Sequence, residues 1–245
     1  MIAASQLVAH RGYQAKYPEN TRLSLTKAID AGAMFVELDV QFSSDHLPII
    51  YHDADLLRVS GRSGTVLTQT RAELMSYPAY EPNRLGDAFI SETIAPLEAL
   101  VAILQANPEV TAFVELKEES IDHCGRQLMV SSVQHLLSPV AEQTVMISFD
   151  YPLVIAARET GWPRVGVVLR HWADVHGPEV AMARPDYIYT DYLTIPQDCD
   201  LMTVPALKQS VLVAYEVGTV ALGNALLARK VNMLETFEIE TLLKG

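Results

Sequence analysis

Cysteine is scarce: Cys124 and Cys199 are the only two in 245 residues. Two are too few for a disulfide scaffold, and neither sits in a CxxC pair, which argues against a thiolate zinc site. Basic charge is also short. Lys and Arg number 18 against 30 Asp and Glu, a net charge of −12. Nucleic-acid binding relies on clustered Lys and Arg, so this balance speaks against it and suits a cation site better. No long apolar run is uninterrupted. The most apolar stretch, Val211 to Ala228, contains Glu216, Gly218, Gly223 and Asn224. An ionised carboxylate at mid-membrane is costly, so the stretch reads as a buried strand followed by a helix. Met1 to Leu7 lacks the cationic start and apolar core of a secretory signal. These absences predict a cytoplasmic chain with no stable membrane insertion. Gly 12 and Pro 13 are ordinary counts and give no low-complexity segment.

What is present is a globular composition, 49% apolar and 20% charged. Short β-branched runs alternate with amphipathic stretches. Leu7–His10 reads as a strand and Thr21–Ala31 as a helix. Met34–Phe42 is a strand whose alternation puts Phe35, Glu37, Asp39 and Gln41 on one face and Val36, Leu38 and Val40 on the other. Residues 45–95 are rich in turn signals and read as an insertion after the second strand. Alternation then resumes: helix Pro96–Ala106, strand Thr111–Lys117, helix Ile121–Leu137, strand Val145–Phe149, helix Pro152–Thr160, strand Val165–Arg170. A weak helix Ala173–Ala183 and strand Tyr187–Thr190 follow. Tyr192–Ser210, with Pro196 and Pro205, is a poor helix, so the sixth helix is expected to be short or lost. Val211–Val217, Ala221–Arg229, Val231–Phe237 and Ile239–Lys244 complete the series.

Strands alternating with helices imply a parallel sheet. Repeating the unit through a chain close to the roughly 250 residues of a closed barrel predicts an α/β fold, a (β/α)8 TIM barrel over residues 1–245 with one small insertion. The first strand ends in His10-Arg11-Gly12 and not in a glycine-rich dinucleotide fingerprint, which weakens the open doubly wound alternative.

Active sites of such barrels lie at the C-terminal strand ends. The first strand ends in His10 and Arg11, the second carries Glu37 and Asp39, and the third ends in Glu115 and Lys117. Glu37 and Asp39 are two residues apart, so their carboxylates point the same way, and like charges that close call for a neutralising partner. Glu115 from the neighbouring strand adds a third oxygen. Carboxylates alone favour a hard cation, Mg²⁺ or Ca²⁺. The residues leave a second reading open, a structural ion-pair network of Glu37, Asp39, Arg11 and Lys117. Of the histidines, His10 and His52 stand out: His10 adjoins these groups, and the run Leu47–Tyr51 brings His52 back over the barrel mouth. Nothing beside His123, His135, His171 or His176 suggests catalysis, and His46 sits in a turn.

The segment Val8–Glu73 resembles the glycerophosphodiester phosphodiesterase family. The resemblance is carried by His10-Arg11-Gly12, Pro18-Glu19-Asn20-Thr21, Glu37-Leu38-Asp39-Val40, Pro48-Ile49-Ile50-Tyr51-His52-Asp53, Leu57-Arg58 and Thr70…Glu73-Leu74. Ala95-Pro96-Leu97-Glu98, Val114-Glu115-Leu116-Lys117 and Ser148-Phe149-Asp150 follow in the family's order. It holds over residues 7–170 and then fades. It implies a (β/α)8 barrel that hydrolyses glycerophosphodiesters to sn-glycerol 3-phosphate and an alcohol. It further implies one divalent cation, Mg²⁺ or Ca²⁺, on Glu37, Asp39 and Glu115, with His10 and His52 as the acid–base pair. Arg11 and Lys117 would contact the phosphate, and Glu19 would support them by orienting Arg11 or His10. The Pro18–Thr21 run also reads as a helix start capped by Asn20 or Thr21. The nucleophile is either water or the neighbouring glycerol hydroxyl through a cyclic phosphate, and the sequence leaves both open.

The last third departs from the family. Ala214-Tyr215-Glu216-Val217 stands where many members carry Trp-Thr-Val-Asn, and Leu234-Glu235-Thr236-Phe237 replaces a Thr-Asp-x-Pro ending. Tyr215 is expected to offer an aromatic face to the glycerol. Tyr215, Glu216 and Glu235 are expected to shape the pocket for the glycerol or alcohol head without touching the cation. Two alternatives are a lysophospholipase D-like phosphodiesterase, which wants an apolar rim that the polar loop tips lack, and a catalytically silent binding barrel, which would be expected to lose some of His10, Glu37, Asp39, His52 and Glu115.

Overall fold

The computed structural model describes residues 1–245. Ten strands form: β1 (Leu7–Ala9), β2 (Phe35–Phe42), β3 (Pro48–Ile50), β4 (Ala95–Pro96), β5 (Thr111–Leu116), β6 (Thr144–Ser148), β7 (Val165–Val168), β8 (Tyr187–Asp191), β9 (Val211–Tyr215) and β10 (Met233–Thr236). All but β3 and β4 run parallel, in the order β1-β10-β9-β8-β7-β6-β5-β2, and the pairing of β1 with β2 closes the barrel. This is the expected (β/α)8 architecture. No helix is long and apolar enough to cross a membrane.

Two apolar layers hold the barrel, and the alternation of β2 shows why. Val36, Leu38 and Val40 are buried in the main core with Leu25, Leu100 and Val130 of the surrounding helices. The opposite face points inside, where Phe35 packs at 6.1 Å on Phe113, and Phe113 packs on Tyr187 and Tyr189 at 4.8 and 5.2 Å. Val8, Val145, Ile147, Val213 and Met233 complete this interior plug. Apolar side chains therefore fill the lower barrel, and the polar residues further along the same strand faces are left for the mouth.

The insertion has its own small core of Ile49, Tyr51, Leu56, Val59, Val66, Leu74, Ala79 and Ile94. Its strand β3 pairs antiparallel with the outer half of β2, Val40 opposite Ile50 and Phe42 opposite Pro48. The chain then turns back over the mouth, and Tyr51 donates its backbone N–H to the Asp39 carbonyl at 2.9 Å. Two arginines staple the insertion to the barrel. Arg58 donates to both Glu19 oxygens at 2.8 and 2.7 Å, and Arg84 donates to the carbonyls of Gln14 and Tyr17 at 2.6 and 2.8 Å.

Some element boundaries differ from expectation. Pro96 does not start the helix: it lies in β4 opposite Ile49, and the helix begins at Glu98. Proline is tolerated there because β4 is an edge strand. The Ile121–Leu137 helix is broken at Gly125, whose φ of 75° ends one helix before the next begins at Arg126. Between Tyr192 and Lys208 only short 3₁₀ turns form, as the prolines imply. Thr21, not Asn20, caps the first long helix, in a reciprocal pair with Ser24.

Gly12 follows β1 with φ 78°, and a Cβ there would lie 2.5 Å from the Ser24 carbonyl carbon. A methyl group cannot fit without moving the helix that Thr21 caps. Gly12→Ala is expected to cost about 1–3 kcal/mol, the usual range for overpacking. Thermal denaturation should show it as a fall in Tm of roughly 2–4 °C per kcal/mol. An unchanged Tm would mean that the β1 turn relaxes freely.

Candidate active site

The C-terminal strand ends enclose a cavity of about 150 Å³ lined by His10, Arg11, Glu37, Asp39, His52, Glu115, Lys117, Phe149, Tyr215, Glu216 and Glu235, with Ile147, Val168 and Tyr189 beneath. Every residue singled out from the sequence lines it except Glu19. A larger cavity, about 640 Å³, lies outside the barrel beside the helix Pro178–Ala183 and the turn at Pro205, away from these groups.

Register explains the carboxylates. Asp39 of β2 lies directly beside Glu115 of β5, and Glu37 sits one inward step lower beside Phe113. Ligating oxygens of Glu37, Asp39 and Glu115 all fall within 4.8 Å of one another. The turn after β1 reaches the same place. Arg11 takes φ 51°, and its backbone N–H donates to Glu37 Oε2 at 3.0 Å. Its guanidinium then spans Glu19 (3.0 Å) and Asp39 (3.1 Å). Lys117, just past β5, donates to Glu115 at 2.8 Å and lies 3.5 Å from Asp39. Asn20 holds Asp39 from both ends, donating to Oδ2 at 2.8 Å and accepting its backbone N–H at 3.0 Å.

These contacts divide the carboxylates. Burial alone would raise Asp39, but Arg11 and Lys117 outweigh it and hold the carboxyl below its usual range. Glu37 has less help: burial, then the neighbouring Asp39, Glu235 and Glu115, push it well above the usual value. Burial also raises Glu115 against the pull of Lys117. His10 is pushed well below the ordinary imidazole value by burial and by Arg11. It stacks on Phe237 with ring centroids 4.9 Å apart.

The ion-pair network that the sequence left open forms only in part: Arg11 and Lys117 pair with Asp39, whereas Glu37 receives only the Arg11 backbone N–H, and the carboxylates are not satisfied. Glu37 Oε1 and Glu235 Oε1 are buried and accept no hydrogen bond. Buried unpaired oxygens are costly. Three crowded carboxylates with a spare oxygen fit a hard divalent cation, and Glu37, Asp39 and Glu115 could hold one.

His52 is held by Asp53 and Arg58, two residues that the sequence motifs contain but to which the sequence reading gave no role. Its Nδ1 lies 2.6 Å from Asp53 Oδ1, and Arg58 grips Asp53 through Nε and Nη2 at 2.7 and 2.9 Å. Arg58 also binds Glu19, so one chain of contacts runs from His52 through Asp53, Arg58, Glu19 and Arg11 to Asp39. Burial penalises Asp53, but hydrogen bonds from His52 and Arg58 bring its carboxyl below the usual range. The adjacency of His52-Asp53 and the Leu57-Arg58 pair were the available signals. Glu19 pairs with Arg11 but is 1% exposed and lies beneath the cavity wall.

Glu235 of the last third was expected to shape the pocket without touching the cation. Closure of the barrel puts β10 beside β1, Val8 opposite Glu235, and an oxygen of Glu235 within 4.8 Å of ligating atoms of both His10 and Glu37. Tyr215 and Glu216 do lie at the rim, with Glu216 Oε1 3.5 Å from His10 Nδ1.

The chain is similar to several known proteins. A sequence model of the glycerophosphoryl diester phosphodiesterase family matches residues 10–160. A glycerophosphodiester phosphodiesterase of Bacillus altitudinis is 27% identical over 184 residues, 72% of this chain and 70% of that protein. Mouse glycerophosphodiester phosphodiesterase 1 is 34% identical over 111 residues, 45% of this chain and 33% of that protein. Among solved structures, an Oleispira antarctica phosphodiesterase in complex with the product sn-glycerol-3-phosphate superposes with a TM-score of 0.84 at 21% identity, over 98% of this chain and 95% of that one. The Thermotoga maritima glycerophosphodiester phosphodiesterase superposes with a TM-score of 0.77 at 22% identity, over 100% and 99% of the two chains. The family match spans more than half of the chain and begins at His10, the first residue of the site: the chain belongs to the glycerophosphoryl diester phosphodiesterase family.

Proposed function

We propose that this protein hydrolyses glycerophosphodiesters to sn-glycerol 3-phosphate and an alcohol, with His10 and His52 as the acid–base pair and one Mg²⁺ or Ca²⁺ held by Glu37, Asp39 and Glu115. The observation that carries the reading is the convergence of two histidines, three carboxylates, Arg11 and Lys117 on one cavity at the strand ends. A silent binding barrel has no use for that combination.

A bound divalent cation supplies positive charge against phosphoryl oxygens as they gain charge in the transition state. Arg11 and Lys117 supply more, from fixed positions that need no reorganisation. With the Asp53 carboxylate on Nδ1, the His52 proton sits on that nitrogen, and Nε2 keeps a lone pair. His52 can then take a proton at Nε2 while the Asp53–Arg58 pair stabilises the resulting imidazolium. One histidine takes the proton of the nucleophile and the other protonates the leaving alkoxide. Phe149 and Tyr215 give the carbon skeleton of the glycerol an apolar wall. The decisive experiment is release of glycerol 3-phosphate from a panel of glycerophosphodiesters, with and without chelator. Hydrolysis of none of the panel overturns the reading.

Glu216 is the candidate reader of the alcohol head. Its side chain is 43% exposed, so attraction to a cationic head is screened, about 1 kcal/mol or less. Glu216→Gln is expected to raise KM for glycerophosphocholine a few-fold and to leave KM for the neutral glycerophosphoglycerol unchanged. An equal response of both diesters in kcat would assign Glu216 to the support of His10 instead.

A further inference from the structure

Glu235 is a barrel-interior carboxylate that the proposed reaction does not use. It is 4% exposed, and its Oε1 accepts no hydrogen bond. Neither cationic side chain of the site serves it, since Arg11 is taken up by Glu19 and Asp39 and Lys117 by Glu115 and Asp39. Its other oxygen faces His10 Nε2 at 3.9 Å, and the same nitrogen lies 3.8 Å from Glu37 Oε2. Ligating atoms of His10, Glu37 and Glu235 fall within 4.8 Å of one another, a second triad beside the carboxylate triad of Glu37, Asp39 and Glu115. All three residues are more than nine-tenths buried, and Glu37 Oε1 is likewise without a partner.

We propose that His10, Glu37 and Glu235 form a second divalent-cation site, sharing Glu37 with the first and suited to a first-row transition ion such as Zn²⁺. The inference rests on the reading of Glu37, Asp39 and Glu115 as the first cation site. The donor sets differ. The first triad offers oxygen only, which suits Mg²⁺ or Ca²⁺, whereas an imidazole nitrogen with two carboxylates suits a borderline ion. Charge points the same way. Five carboxylates, Glu37, Asp39, Glu115, Glu216 and Glu235, line the cavity against the two cationic side chains Arg11 and Lys117, so acidic groups remain for a second cation after the first is bound. Carboxylates that bridge two ions a few ångströms apart are a general feature of paired metal sites. A cation on His10 takes the imidazole lone pair needed for proton transfer, so the second site is inhibitory: it holds the enzyme off when the transition ion is abundant.

The test is equilibrium dialysis of the metal-free wild type against Zn²⁺ and, separately, Mg²⁺, with Glu235→Gln and Asp39→Asn alongside. The expected counts are about two Zn²⁺ per wild-type chain and about one per Glu235→Gln chain, with a single Mg²⁺ in both. Imidazole ¹⁵N resonances should show Zn²⁺ engaging His10 in the wild type and not in Glu235→Gln. Stoichiometric Zn²⁺ should lower Mg²⁺-supported turnover of the wild type by about 10²-fold, the smaller contribution of a positioned acid or base. The same ratio in Glu235→Gln should stay near unity. One Zn²⁺ per wild-type chain, with the His10 resonances unmoved, overturns the second site and leaves the first intact. The first site fails separately if Asp39→Asn binds Mg²⁺ as the wild type does.

Discussion

His52→Ala is expected to lower kcat by about 10²–10⁴-fold, the range typical of one positioned acid or base, while the protein stays folded. The side chain is partly exposed at the mouth and anchors no core cluster, so its loss leaves the barrel packing intact. Asp53→Asn is a sharper companion. An amide at position 53 no longer stabilises the charged imidazolium, and it breaks the bidentate grip of Arg58. Its kcat should fall in the same direction as that of His52→Ala, and the double variant should lose little more than His52→Ala alone, because the two residues act as one unit. His10→Ala should fall by a similar factor. His171→Ala and His176→Ala, both exposed and outside the cavity, should match the wild type. Steady-state kinetics with circular dichroism on each variant reads all of this. A His52→Ala enzyme with near-normal kcat removes that residue from the mechanism.

The second large effect is on metal. Dialysis against excess EDTA should abolish turnover, and Mg²⁺ or Ca²⁺ should restore it, the better of the two being the ion the site takes. Asp39→Asn should weaken binding of that ion and lower turnover together. Loss of a group that only supports a metal ligand typically costs about 10–100-fold, so loss of a ligand should cost at least that. Asp39 is chosen because the amide keeps the shape that Asn20 recognises while it removes the charge. Arg11 and Lys117 lose a shared partner in the same variant, so titration of metal affinity is the discriminating measurement. Full activity after exhaustive chelation would exclude the cation from the reaction and return the carboxylates to a purely structural role.

Much of the site was legible from the chain itself. A strand has period two, so Glu37 and Asp39 had to share a face with Phe35 and opposite Val36 and Leu38, and they do. Strand ends in a parallel barrel face one mouth, so His10, Arg11, Glu115 and Lys117 were bound to meet them. The prolines of Tyr192–Ser210 announced the missing helix. Local chemistry was enough for each of these, because the relevant contacts lie within one element or follow from its direction.

Tertiary structure decided the rest. That Asp39 sits beside Glu115 is a matter of inter-strand register, which depends on packing across residues far apart in the chain. Pro96 reads as a helix start until β3 arrives to pair with it. The support of His52 passes from Asp53 to Arg58 in the insertion and then to Glu19 after β1, and no spacing rule connects those segments. Glu235 is the clearest case. In the sequence it reads only as a pocket-shaping acid on the last strand, with no partner assigned to it. Only closure of the barrel sets β10 against β1 and turns that carboxylate toward His10 and Glu37, because a strand's neighbours around the ring are a property of the whole sheet and not of any segment in it.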